Sequence, residues 1–270
     1  MTNKKLLTDT EKIEYYLGKD GFKDVYFNTK DFPPAYDKLI AEHIDPEKYK
    51  STELTLNIWY PDIKHKLNNL GYRSDEDFSV EKFKNKELIV CLGCTDTFGL
   101  HLNDNEIWPT HLRKAFPQYE VLNLGIMGAA NDTVARILIQ LTQVLSSEIK
   151  YACILWPHPN RREFVSKEYT KIVTTHDKTD IPYEEYWDFI DWKSNNYNHF
   201  KNYHLIKNLC LLHNIKLLDL EIDRFDKKVP FDHAGKYFAL GEKSHIAIAN
   251  YYEKLIKGVP SLFEQLSHDK

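Results

Sequence analysis

From Lys86 onward, short apolar runs alternate with helical patterns, and this rhythm constrains the fold more than any other feature. Four runs, ELIVCLG, YEVLNLG, YACILWP and IKLLDL, are almost continuously apolar. Such strands, separated by helices, are typical of a parallel sheet covered on both faces. We therefore predict a single parallel sheet, with strands near 88–93, 119–124, 151–156 and 215–220.

The segments between these runs have helical periodicity. In NDTVARILIQLTQVLSS the apolar residues fall on one face, and the leading asparagine predicts a helix cap. NEIWPTHLRKAF predicts a shorter helix, residues 184–214 are largely helical by pattern, and GEKSHIAIANYYEKLIK predicts a closing amphipathic helix. Residues 86–270 are therefore predicted to form an α/β domain.

Residues 1–85 lack this rhythm and are rich in tyrosine and lysine. We interpret them as an N-terminal extension of short helices and a strand. Helices are predicted after Thr8 and after Pro34, a half-buried strand in ELTLNIWY, and a turn in NNLGYRSDED.

The composition narrows the range of functions. The 270 residues carry 36 Lys and Arg against 40 Asp and Glu, a net charge of -4, which gives no reason to expect a nucleic-acid partner. The sequence contains neither a secretory signal nor an apolar stretch of about 20 residues, so we predict a cytoplasmic protein without a membrane span.

The cysteines and histidines do not predict a metal or a cofactor. Three of the four cysteines lie in apolar runs and are predicted to be buried and reduced. Cys91 and Cys94 form a single C-x-x-C, which is weak evidence for redox or metal chemistry. His199, His204 and His213 lack the four-residue spacing that places two ligands on one helix face.

Polar residues collect where the predicted strands end, which is where parallel sheets place their working groups. The first strand runs into GCTDTFG, the second into the glycine-rich NLGIMGAAND, and the third into WPHPNRRE. Asp232, His233 and His245 follow the fourth strand. A hydroxyl at a strand-to-helix turn, flanked by free N–H groups, suits acyl transfer with an oxyanion hole.

These blocks resemble the SGNH (GDSL-type) hydrolases, in particular the divergent forms of bacteria and their viruses. GCTDTFG matches the first block of that family, and NLGYRS, the WP of NEIWPTHL and NLGIMGAAND match habits of the subgroup. The resemblance covers residues 69 to about 260. It implies a flavodoxin-like, three-layer α/β/α fold and an esterase or deacetylase that acts on a small ester or acetylated substrate without a cofactor.

The resemblance also assigns roles to residues. Thr95 occupies the position of the nucleophilic serine, and its N–H together with that of Gly125 would form the oxyanion hole. WPHPNR replaces the third block, so that Asn160 is the nearest amide side chain. The neighbouring Arg161 and Arg162 could bind a carboxylate or phosphate, or they could be a solvated surface pair.

The last block departs most from the family. Anchored on Gly241 and His245, the expected histidine falls on Ala239 and the expected aspartate on Lys236. Ala239 could be natural or engineered, but Lys236 favours natural divergence, because a single engineered change would not explain both. The possible substitutes for the missing pair are Asp232 with His233, His245 and His101.

Two functions remain open at this stage. One is a hydrolase that uses Thr95. The other is a catalytically degenerate hydrolase fold, a possible pseudoenzyme, that binds a small ligand or a protein in the cleft over Thr95, Gly125, Asn160 and residues 232–245. Whether or not Thr95 attacks a substrate, we expect its hydroxyl to remain because it caps the helix that follows and lines the cleft.

Overall fold

The structure is a computed structural model that describes residues 33, 53–55, 64–100, 102–165, 170–174, 192–221, 232 and 240–259. The strands are β1 Glu53–Thr55, β2 Lys64–Lys66, β3 Leu88–Gly93, β4 Glu120–Gly125, β5 Ile149–Trp156, β6 Arg161–Val165, β7 Thr170–Thr174 and β8 Lys216–Glu221. The helices are α1 Val80–Phe83, α2 Thr95–Phe98, α3 Trp108–Ala115, α4 Asn131–Leu145, α5 Trp192–Leu212 and α6 Glu242–Ile256, with a 3-10 turn at Asp104–Glu106.

The four predicted strands form one parallel sheet in the order β4-β3-β5-β8. Numbered along the chain, this order is 2-1-3-4, which is how flavodoxin-like sheets begin. The prediction of a shared parallel sheet is confirmed. The chain reverses its direction of winding between β3 and β5, and this switch point is where such sheets bind ligands.

Helices cover both faces of the sheet, so the fold has three layers. Leu88, Val90 and Leu92 of β3 pack in a core with α4 and α5. Ile89 and Cys91, which point the other way, pack in a second core with α3 and α6. Because neighbouring strand residues face opposite sides, a strand buried on both faces must be apolar throughout.

Most predicted helices are observed, with two differences at their ends. The predicted asparagine cap of α4 is wrong: Ala130 is the N-cap, Asn131 is the first helical residue, and the Ala130 N–H donates to Thr133 Oγ1 at 3.2 Å. Helix α5 covers Trp192–Leu212 of the predicted 184–214, and residues 184–191 lie outside the described part.

Part of the predicted extension packs against the α/β core. Tyr72, Phe78 and Phe83 are buried with residues of β3 and α4. Arg73 is buried as well, and its guanidinium donates to the carbonyl oxygens of Gly99 at 2.6 Å and Leu102 at 2.8 Å. The core therefore begins upstream of Lys86, while the division of the chain at residue 85 stays a prediction.

The structure describes only part of the N-terminal region for which helices, a strand and a turn were predicted. A turn is observed at Asn68–Tyr72, as predicted. The predicted helices after Thr8 and Pro34 lie outside the described residues, as does ELTLNIWY apart from β1. None of the described helices is long and apolar enough to cross a membrane.

An antiparallel hairpin of β6 and β7 follows β5 in the chain and was not predicted from the sequence. It is held to α4 by a buried ion pair, in which Arg136 Nη2 and Glu163 Oε1 lie 2.9 Å apart. The hairpin begins at Arg161, so this ion pair also fixes the start of the segment that reaches the carboxyl edge of the sheet.

Candidate functional site

A pocket of about 480 Å³ opens at the carboxyl edge of the sheet, at the switch point between β3 and β5. Cys94 and Asp96 line it after β3, Arg161 lines it after β5, and Glu221 lines it at the end of β8. Helix α5 closes one side with His199. Three strand ends and one helix thus surround a space of the size that small-molecule sites have.

Thr95 lies at the turn between β3 and α2, next to this pocket. Its hydroxyl oxygen accepts a hydrogen bond from the Gly128 N–H at 3.3 Å. The N-cap of α2 is Cys94, and Thr95 is the first helical residue. The expectation that Thr95 caps its own helix is therefore wrong: the hydroxyl ties the turn to the loop between β4 and α4.

Gly125 ends β4, and its N–H is engaged within its own loop. It donates to Asn123 Oδ1 at 3.0 Å. A side chain at position 125 would place its Cβ atom 2.6 Å from the Thr97 carbonyl carbon, so glycine is needed for the close approach of α2 to β4. This N–H, which the resemblance assigns to the oxyanion hole, already has an acceptor in the structure.

Asp232 holds the start of α6. Its carboxylate accepts from the N–H of Ser244 at 2.8 Å, from the Ser244 hydroxyl at 2.8 Å and from the Lys243 N–H at 3.1 Å. Burial alone would raise the pKa of Asp232, but these hydrogen bonds outweigh it and keep the pKa below its usual value. The carboxylate is committed to capping the helix, since it satisfies N–H groups of the first turn.

His245 is a core residue of α6. It is 1% exposed, and its Nδ1 accepts a hydrogen bond from the Trp108 N–H at 3.1 Å. Burial, with the nearby His111 and Arg73, lowers the pKa of His245 to about 3. This side chain joins α6 to α3 and remains neutral, so it does not contribute to the pocket as a charged group.

His101 and His233, two possible substitutes for the missing pair, lie outside the described residues. So do Lys236 and Ala239, the positions at which that pair was expected. The ends of the segment that contains the last three are near the turn of Thr95. Leu240 N–H donates to Asp96 Oδ1 at 3.1 Å, and Gly241 N–H donates to the carbonyl oxygen of Asp232 at 2.9 Å.

Asn160 and Arg161 follow β5. The Asn160 N–H donates to His158 Nδ1 at 3.3 Å, and its buried Oδ1 has no partner among the described residues. Arg161 lines the pocket and reaches the carbonyl oxygen of Ala129 at 3.5 Å. Arg162 points elsewhere, since it donates to the Ser194 carbonyl at 2.6 Å.

Cys94 lines the pocket close to Asp96 and Arg161. Burial and the charge of Asp96 raise the pKa of its thiol, and Arg161 beside it acts in the opposite direction. The thiol is therefore protonated at neutral pH, unlike that of a reactive cysteine. All four cysteines are free and buried, so the predicted burial of the three in apolar runs is confirmed.

A hydrogen-bonded chain of three side chains beside the pocket was not predicted from the sequence. Asn131 Nδ2 lies 3.0 Å from His199 Nδ1, and His199 Nε2 lies 3.2 Å from Glu221 Oε1. The His199 ring also meets the edge of the Trp156 ring, with centroids 5.1 Å apart. The position of Glu221 directly after the predicted strand 215–220 was the one available signal.

Across the described ranges, no group of three or more His, Cys, Asp or Glu side chains is arranged to hold a metal ion. His199 faces Glu221 and Asn131 rather than His204 or His213. The pocket is lined by one guanidinium, two carboxylates, two imidazoles, a thiol, an amide and apolar side chains.

The chain is similar to solved structures of hydrolases. A member of the lipolytic protein G-D-S-L family from Veillonella parvula DSM 2008 shares 13% identity over 63% of this chain and 97% of its own, with a TM-score of 0.33. A carbohydrate acetylesterase family member from Sinorhizobium meliloti shares 12% identity over 64% of this chain and 98% of its own, with a TM-score of 0.36. No protein-family model and no curated protein matches the chain. Similarity of this size does not assign the chain to a family.

Proposed function

We propose that this protein binds a small ligand at the carboxyl edge of a hydrolase-like α/β fold and does not hydrolyse simple acetyl esters. The observation that carries the proposal is the state of the groups that acyl transfer would need. The Thr95 hydroxyl, the Gly125 N–H, the Asp232 carboxylate and the His245 imidazole each have a partner within the fold.

A hydroxyl becomes a useful nucleophile only when a base can take its proton. Among the described residues, the Thr95 hydroxyl contacts a backbone N–H and not an imidazole. The methyl group of threonine also crowds the path of attack and restricts the side-chain rotamer. General-base help is worth about 10²–10⁴-fold, so its loss alone would remove most activity.

The pocket itself supports a binding role. Arg161 lines it and, within the described ranges, has no carboxylate partner. The half-buried guanidinium reaches the Ala129 carbonyl oxygen and contacts the Cys94 thiol, neither of which carries a charge, so an anionic ligand would stabilise it further. A ligand with a carboxylate is the chemical match, because guanidinium binds carboxylate bidentately.

Ester hydrolysis with His233 as the base is the second candidate. Asp232, the preceding residue, contacts Gly241, and Leu240 contacts Asp96 next to Thr95. These contacts bring Asp232 and Leu240, which flank residues 233–239 in the sequence, near the turn that contains Thr95. A histidine at position 233 is therefore worth testing as its base.

The test combines turnover with binding. Hydrolysis of 4-nitrophenyl acetate is measured for the unmodified chain, Thr95→Ala and His233→Ala, and acetate binding is followed through the amide NMR signals of Cys94 and Asp96. We expect equal, background-level hydrolysis in all three proteins and acetate-dependent shifts at both amides. Robust turnover that Thr95→Ala abolishes would overturn the proposal, and if His233→Ala abolished it too, the second candidate would replace it.

A further inference from the structure

Helix α5 differs from an ordinary surface helix, which turns its apolar residues toward the core and its polar residues toward solvent. Three asparagines of α5 are buried, Asn195, Asn198 and Asn202, and the last two donate to the Asp132 carboxylate at 3.0 and 2.8 Å. Six large apolar side chains of the same helix are between 44% and 78% exposed: Trp192, Tyr197, Phe200, Leu205, Leu211 and Leu212. The outer side of α5 therefore presents an apolar surface.

The central residues of this surface lie on one face of the helix. Tyr197, Phe200, His204 and Leu211 are three, four and seven residues apart, which is the spacing of a single helical stripe. The Phe200 and His204 rings are in contact, with centroids 4.1 Å apart. At a rise of about 1.5 Å per residue, the stripe is about 20 Å long. An exposed apolar stripe of this length is typical of a surface that contacts another molecule.

The charge of α5 indicates which kind of molecule this is. The helix contains three lysines, Lys193, Lys201 and Lys207, and no Asp or Glu in its 21 residues, although the whole chain has a net charge of -4. All three lysines are exposed, and none forms an ion pair with a described residue. A negatively charged partner is therefore favoured. A second copy of the helix is disfavoured, because it would bring like charges together.

We propose that the outer face of α5 binds to the surface of an anionic lipid bilayer. A helix of this kind inserts its aromatic and aliphatic side chains at the boundary between head groups and acyl chains, and its lysines reach the surrounding lipid phosphates. Single-stranded nucleic acid would stack on the aromatic rings but leave the leucines exposed. The outer face of a single helix is convex, which a fluid bilayer accommodates, whereas a folded acidic protein would need a matching groove. Such peripheral binding requires no membrane-spanning helix.

Co-sedimentation of the full chain with vesicles tests this proposal. Vesicles of phosphatidylcholine that contain about one-third phosphatidylserine are compared with vesicles of phosphatidylcholine alone. At low salt, we expect the partition coefficient to be at least about tenfold higher for the anionic vesicles, and to fall as added salt screens the lysines. Equal partition into both kinds of vesicle, or no binding to either, would overturn the proposal.

Two variants separate the charges of α5 from its apolar stripe. Lys193→Gln combined with Lys207→Gln should lower partition into the anionic vesicles by about tenfold, because each lysine contributes to attraction by the surface. Tyr197→Ser combined with Leu211→Ser should weaken it to a similar extent through lost apolar burial. Acetate binding should persist in the second variant, since neither residue lines the pocket. Both variants change exposed side chains, and urea unfolding verifies that they are folded.

The matched control carries Lys243→Gln and Lys254→Gln on α6, which packs on the opposite face of the sheet. It loses the same charge as the lysine variant of α5, so its partition should stay within about twofold of that of the unmodified chain. An equal loss in the two lysine variants would assign the binding to overall charge and overturn the proposal.

Two further measurements test other partners of the same face. Light scattering after size-exclusion chromatography gives the oligomeric state, and calorimetry gives the affinity for soluble poly-L-glutamate. We expect a monomer that binds the anionic vesicles more tightly than the polymer. A dimer that dissociates on combining Tyr197→Ser with Leu211→Ser would assign the face to a second copy. Tighter binding of poly-L-glutamate would assign it to an acidic protein, and either result would overturn the proposal.

Discussion

The carboxyl edge of the sheet has two unlike halves. Over β3 and β4, the turn of Thr95 and the end of β4 are tied into the fold by hydrogen bonds to Gly128 and Asn123. Over β5 and β8, Arg161 and Glu221 line an open pocket. In the hydrolases that the sequence resembles, the nucleophile lies over the first half. The pocket over the second half is where we propose that a ligand binds. On the proposed function, the tied half takes no part in acyl transfer while the open half binds a ligand, which is possible because separate strand ends build the two halves.

Restoring the missing pair gives the largest expected effect, because it would return the tied half to catalysis. We predict that Ala239→His combined with Lys236→Asp raises hydrolysis of 4-nitrophenyl acetate by about 10²–10⁴-fold. The same double variant with Thr95→Ala serves as the control and should return to background. A folded double variant without any gain would mean that the register assigned to residues 236–239 is wrong.

The buried ion pair that anchors the open half gives the next largest effect. The side chains of Arg136 and Glu163 are 3% and 2% exposed, so Glu163→Ala leaves a buried charge without its partner. We expect the free energy of unfolding, measured in urea, to fall by about 3–5 kcal/mol. Acetate binding should weaken as well, since Glu163 holds the strand that begins at Arg161.

The matched control is Glu120→Ala, which removes the exposed partner of Lys86, 3.2 Å away. Exposed pairs contribute about 0–1 kcal/mol, so this variant should unfold at nearly the same urea concentration as the unmodified chain. Equal losses in the two variants would contradict the role given to Glu163.

We expect the buried His245 to make the stability of the fold depend on pH. The pKa of a histidine in the unfolded chain is about 6.5, whereas in the fold it is about 3. Between these values the unfolded state binds the proton and the folded state does not. The contribution of His245 is therefore complete above about pH 6.5, and as the pH falls it decreases by about 1.4 kcal/mol per pH unit.

Thermal or urea unfolding between pH 7.5 and 4.5 measures this slope. His245→Gln should be less stable at neutral pH and show a flatter profile, because the titrating group is gone. His213→Gln, a change outside the core, should keep the profile of the unmodified chain. A profile that is equally steep in His245→Gln would assign the slope to other groups.

The sequence predicted most of the sheet because its signal is local. The apolar runs of β3, β4 and β5 follow from burial on two faces, the edge strand β8 buries Leu218 and Leu220 on one face, and the stripe of α4 follows from its contact with one face of the sheet. The hairpin of β6 and β7 was missed because RREFV was interpreted as part of a polar strand end, and its polar and apolar residues do not alternate as those of a half-buried strand do.

The site was less predictable, because its contacts join distant parts of the chain. His199 meets Asn131 across 68 residues, and Arg73 reaches the Gly99 carbonyl across 26. Motifs placed Thr95 and Gly125 at the correct strand ends, yet a motif does not reveal which acceptor an N–H has found. Only the bond between Gly125 and Asn123, two residues apart, could have been anticipated from local turn chemistry.

Thr95 itself gives the smallest expected effect and sharpens the comparison most. Thr95→Val keeps the shape of the side chain but removes the oxygen that accepts from the Gly128 N–H. One neutral hydrogen bond contributes about 0.5–1.5 kcal/mol, so we expect a loss of about 1 kcal/mol in urea unfolding and faster hydrogen exchange at the Gly128 amide. Thr95→Ser keeps the hydroxyl and should stay within about 0.5 kcal/mol of the unmodified chain. Acetate binding should not change in either variant, because the Thr95 hydroxyl contacts the Gly128 N–H and does not line the pocket. If Thr95→Val left stability and exchange unchanged but weakened ligand binding, the hydroxyl would serve the pocket, and the division of the edge into a tied half and an open half would be wrong.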